Sequence, residues 1–133
     1  MRMKNFNNKS KPAKLLKPAD LNLCWYYMSD KEITVRTIKD ALDGEGYDLE
    51  IWDAAGVLEV GFSTGSLDIE SQDLDMRDEY SNEFIAANHI KSLFYASFRA
   101  EEVTVSMEAM KQIIAKLGGF FVADTVDFEP RIG

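Results

Sequence analysis

Few residues in this chain are of types that do covalent or metal chemistry. His89 is the only histidine and Cys24 the only cysteine. A nucleophilic triad or a histidine zinc site needs second partners that a single histidine does not have. Cys24 sits in an aromatic segment, where a thiol is expected to be buried and inert. Both residues therefore read as structural. Asp73-Leu74-Asp75 has the alternating acids that open a calcium loop. Its sixth position is Asp78 where the sharp turn needs glycine, and its twelfth is Phe84 where a bidentate glutamate belongs. Gly44-Glu45-Gly46 and Gly118-Gly119 follow helical patterns as stops and do not form a phosphate cradle. Met107 and Met110 read as core. No cofactor or metal is expected, and no enzyme activity.

The remaining chemistry is carboxylate chemistry. In EGYDLEIWDAAGVLEVGFSTGSLDIE, residues 45–70, apolar and acidic residues alternate almost strictly. Strand geometry puts Tyr47, Leu49, Ile51, Leu58, Val60, Phe62, Leu67 and Ile69 on one face. The other face receives Asp48, Glu50, Trp52, Glu59, Asp68 and Glu70. Acid–base catalysis needs two carboxyls in different environments, and acids on one solvated face share theirs. The plainer reading of such a face is solubility. Yet like charges opposed across strands cost about a few tenths of a kcal/mol per pair. Their accumulation suits a face retained for a basic partner, with Trp52 and Tyr80 as aromatic anchors and Asp73 and Asp75 extending the acidic rim.

The elements that position this face can be read from periodicity. Leu21–Met28 predicts a strand with no polar face, hence a central one covered on both sides. Val35, Ile38, Ala41 and Leu42 predict a helix over about 34–43, with Ser29/Glu32 or Thr37/Asp40 as capping boxes. Turns at 53–56 and 63–65 make the acidic stretch a three-stranded antiparallel meander. An acidic connection (SQDLDMRDEYSNE) opens a short helix near Ser81. His89–Arg99 predicts a strand, or a helix continuing through Phe94. Ser106–Leu117 predicts a helix capped by Ser106, with Met107, Met110, Ile114 and Leu117 as its buried stripe and Ile113 beside it. Phe120–Phe128 predicts a last strand ended by Pro130. Glu32-Ile33-Thr34-Val35 is echoed by Glu102-Val103-Thr104-Val105, consistent with a duplicated β-α-β unit. The expected fold is α+β: one mostly antiparallel sheet of about six strands, with two main helices on one face. The other face is left to water or a partner.

The chain has 133 residues and a net charge of −8. Residues 1–18 hold six basic residues and no acid, and read as a flexible basic arm. The single acidic domain over 19–133 then carries nine basic and 23 acidic residues, or −14. Such a body repels nucleic acid and anionic lipid and attracts cationic proteins. A lone cysteine excludes a disulfide framework, and neither a membrane span nor a secretory signal is evident, so a cytoplasmic setting is expected.

In size, acidity and lack of a catalytic set, the chain resembles the small acidic immunity proteins that neutralise bacterial toxins. The resemblance carries no motif and implies no residue roles. It implies a non-enzymatic inhibitor of a basic protein, such as a toxin or nuclease, acting as monomer or homodimer. The alternative is a small-ligand-binding or regulatory domain, also monomeric or dimeric, with its pocket between the two helices.

Overall fold

Cys24–Ser29 (β1) shows why this sequence makes a two-faced sheet. Trp25 and Tyr27 are buried in one core, and Met28 is buried in a second core on the opposite side. A strand apolar on both faces must be covered on both, as its composition predicts. In the computed structural model, which describes residues 22–133, β1 lies between β5 (Ser92–Ser97) and β6 (Phe120–Ala123). The basic segment 1–18 lies outside the described residues.

The other strands are β2 (Asp48–Trp52), β3 (Val57–Gly61), β4 (Ser66–Gln72) and a two-residue β7 (Arg131–Ile132). They form one sheet in the order β2-β3-β4-β5-β1-β6-β7, with every neighbouring pair antiparallel. The α+β class and the meander are as expected. The sheet has seven strands rather than about six, because the chain returns after Pro130 to pair Arg131 with Val122. The last predicted strand accordingly stops at Ala123.

Helices α1 (Val35–Leu42) and α3 (Val103–Leu117) contact each other and cover one face. Val35, Ile38, Leu42, Ala109, Met110 and Ile113 pack there on Tyr27, Leu58, Val60, Leu67, Ile69 and Phe94. Ring stacking of Tyr27 on Phe121, with centroids 4.7 Å apart, ties the centre of this core together. Thr34 caps α1, its amide donating to Thr37 Oγ1 at 3.1 Å, so neither predicted capping box forms. Helix α3 starts three residues before the predicted Ser106 cap, after a 3-10 turn at Ala100–Glu102. Ser106 is buried inside it, its hydroxyl without a partner among the described residues. The buried stripe therefore runs through Ser106, Ala109, Met110 and Ile113, with Met107, Ile114 and Leu117 at its flanks.

The opposite face is not left open throughout. A third helix, α2 (Glu79–Ala87), crosses it together with the 124–130 loop. Ile85, Ile90 and Phe128 bury Met28, Leu93, Phe120 and Val122. The cover extends over β5, β1 and β6, whose outward residues are apolar. It stops at the meander, whose outward residues are acidic. The two halves of the chain also use their strands differently. Helix α1 carries the chain from the centre to the far edge at β2, whereas α3 joins the two strands that flank β1.

Candidate functional site

The open half of the second face is built by register. Glu50 pairs with Glu59, and Glu59 pairs in turn with Asp68, so three carboxylates stand in one row across three strands. Side chains directly opposed in this way have Cβ atoms about 4.5–5.5 Å apart. The next row runs Trp52, Val57, Glu70, Tyr95 and Tyr26. Asp48 closes the outer corner opposite Gly61, where the lack of a side chain leaves the acid uncovered. No lysine or arginine occurs in β2, β3 or β4. Glu50, Asp68 and Glu70 are exposed, Glu59 is half-buried between its neighbours, and Trp52 is 50% exposed.

The structure thus brings six of the nine expected residues together. Asp73, Asp75 and Tyr80 lie elsewhere. Asp73 and Asp75 fold into the loop beyond β4. Asp73 accepts from the Asp75 amide at 3.0 Å, and Asp75 accepts from the Arg77 amide at 3.0 Å and from Asn82 Nδ2 at 3.1 Å. Those bonds, the Arg77 amide first, hold the Asp75 carboxyl below its usual range. Tyr80 sits on α2, its ring 5.9 Å from that of Phe128 and its hydroxyl donating to the Asp127 carbonyl.

One buried carboxylate was not expected as a functional element. Glu102 is 1% exposed, and its Oε2 accepts from Thr64 Oγ1 at 2.7 Å, with the Arg99 guanidinium 3.9 Å away. Arg99 also donates to the Thr64 carbonyl at 3.1 Å. This clasp fastens the β3–β4 turn to the start of α3. Sequence spacing cannot reveal a contact across 38 residues; the echo of Glu32 at Glu102 pointed instead to duplication.

Cys24 is half-exposed on the second face rather than buried. His89 is exposed, with φ of 55° just after α2, where its amide donates to the Ala86 carbonyl. Among the described residues, no three of His, Cys, Asp or Glu are placed to hold a metal ion. No helix among them is long and apolar enough to cross a membrane.

Comparison with protein-family models, with characterised proteins and with solved structures finds no match.

The helix junction, where the alternative expectation puts a ligand pocket, has a hollow of about 500 Å³ along α1 and α3. Its two cations are engaged, Arg36 with Asp53 at 2.6 Å and Lys116 with Glu45. Among the described residues, none of the carboxylates of the acidic half-face is in an ion pair.

Proposed function

We propose that this protein is a non-enzymatic binding protein of inhibitor or immunity type, whose meander face neutralises a basic protein. The observation that carries the reading is the row Glu50–Glu59–Asp68, flanked by Asp48 and Glu70, on strands that contain no basic residue. Opposed carboxylates make the free face self-repulsive. A cationic partner removes that repulsion on binding, so the free-energy cost in the free protein returns as complementarity in the complex. The exposed Trp52 beside the row supplies an aromatic anchor of the kind that dominates interface energetics. Long-range attraction from a body of charge −14 speeds the encounter, and the rate falls as salt is added.

The cationic surfaces that such a face fits include those that proteins use to hold a nucleic-acid backbone. A linear array of carboxylates then stands where phosphates would, which is how a nuclease or nucleic-acid-directed toxin would be blocked. The test is the triple variant Asp48→Lys, Glu50→Lys, Asp68→Lys. It is expected to keep the native circular dichroism spectrum and to lose more than about a hundredfold in affinity for the partner. Unchanged affinity in a folded variant removes the proposal.

A further inference from the structure

On the same sheet face, beyond Tyr95, a separate hollow of about 510 Å³ opens between α2 and the 124–128 loop. Its aromatic lining is Tyr26, Tyr80 and Phe128. The Tyr26 and Phe128 rings are 6.0 Å apart and nearly perpendicular, and the Tyr80 ring is 5.9 Å from that of Phe128. Phe128 is buried as the floor, while Tyr80 is 49% exposed as a wall. Two carboxylates, Asp78 and Asp124, line the hollow beside these rings. Asp78 accepts from the Ser81 amide at 2.8 Å, and Asp124 accepts from the Tyr95 hydroxyl at 2.7 Å. Each bond fixes a carboxylate without neutralising it. Among the described residues, neither acid pairs with a lysine or arginine, and Arg77 lines the adjoining hollow rather than this one.

Aromatic rings and fixed carboxylates around a hollow are the chemistry that recognises an organic cation. Ring quadrupoles attract a diffuse positive charge, and the acids supply the balancing field. We propose that this hollow is a binding site for an alkylammonium group. Burial first, then the charges of Asp124, Cys24 and Asp78, push the Tyr26 phenol above its usual range. Burial first, with Cys24 and the hydrogen-bonded Asp124 beside it, pushes the Tyr95 phenol in the same direction. Burial disfavours a charge of either sign, so only the share of the shift that comes from Asp124 and Asp78 bears on a cation. The site needs no protein partner, so its failure would leave the acidic-face reading intact.

The test is an NMR titration of the full chain with choline, with choline's uncharged isostere carrying carbon in place of nitrogen, and with N-acetyl-lysine amide, each against matched sodium chloride. Choline or the lysine derivative is expected to shift the ring resonances of Tyr26, Tyr80 and Phe128, and the isostere is not. A preference for choline identifies a free quaternary amine as the ligand class, and a preference for the lysine derivative identifies a side chain. Tyr80→Ala is expected to weaken binding roughly two- to fivefold. The pair Asp78→Asn and Asp124→Asn, which keeps the helix cap and an acceptor for Tyr95, is expected to weaken it at least as much. No ring shift across a millimolar titration would overturn the site. So would equal shifts from the uncharged isostere, or binding that the carboxamide variants leave unchanged.

Discussion

At the scale of single residues, close contacts show where the chain has no freedom. Gly119 has φ of 74°, and a Cβ there would stand 2.5 Å from the Met28 carbonyl oxygen. Gly119→Ala therefore adds both a left-handed backbone penalty and a clash with the central strand. A loss of about 1–3 kcal/mol in urea unfolding is expected. Tyr27 is fully buried, donates to the Gly118 carbonyl at 2.7 Å, and has its phenol pushed up to about 12 by burial first and Asp30 second. A folded-state value raised above the unfolded one means that the native state holds the proton more tightly. The resulting stability is full below pH 10 and is lost as pH rises from about 10 to about 12. The melting temperature should fall through that window, and Tyr27→Phe should flatten part of the fall. Tyr26, Tyr47 and Tyr95, also raised mainly by burial, keep the rest of it.

At the scale of elements, the meander and the second helix give separable predictions. Glu59 lies between Glu50 and Asp68, so Glu59→Gln removes two unfavourable pairings at once. Thermal unfolding at low salt should show stabilisation of about a few tenths to 1 kcal/mol, shrinking as salt is added. On the proposed function, the same variant should bind the partner more weakly, because it removes the central charge of the row. A variant that loses stability would mean that the row is held together by contacts other than those described. In α2, Asp78 accepts from the Ser81 amide, so Asp78→Ala should cost about 0.5–2 kcal/mol and Asp78→Asn much less, read by denaturant unfolding. Element identity was legible wherever period and burial agreed. Leu58, Val60, Leu67 and Ile69 alternate strictly and all became core. Helix α2 was legible only as a short turn of helix near Ser81, because it buries little beyond Ser81 and Ile85 and lies in an acidic stretch. The start of α3 was misplaced because a serine before an apolar stripe reads as a cap. Here Val103 begins the helix and the serine is enclosed within it.

At the scale of the whole molecule, one sheet face is divided into a covered half and an acidic half, and the proposed function rests on that division. Apolar outward residues on β5, β1 and β6 recruit α2 and the 124–130 loop, and acidic ones on β2, β3 and β4 leave the meander bare. The doubly apolar pattern of β1 and the alternation in residues 45–70 already contained that division. Periodicity predicts two main helices on one face and leaves the other to water or a partner; it marks only a short helix near Ser81, and that helix, as α2, covers half of the second face. The same limit applied to the site. Six residues on one strand face could be grouped by parity, but their row register could not, since it depends on the exact turn length between strands. Asp73, Asp75 and Tyr80 follow the meander in sequence but fold away into the loop and helix beyond it. The hollow at Tyr26 joins residues about a hundred positions apart and had no sequence signature.

The most direct measurement is a paired capture from the native host lysate, with immobilised wild-type protein beside the folded Asp48→Lys, Glu50→Lys, Asp68→Lys variant. Bound proteins are eluted with rising salt and identified by mass spectrometry. The account predicts a basic protein that the wild type retains at low salt, releases at high salt, and that the variant does not retain. The same set of proteins on both columns, or retention indifferent to salt, would contradict it.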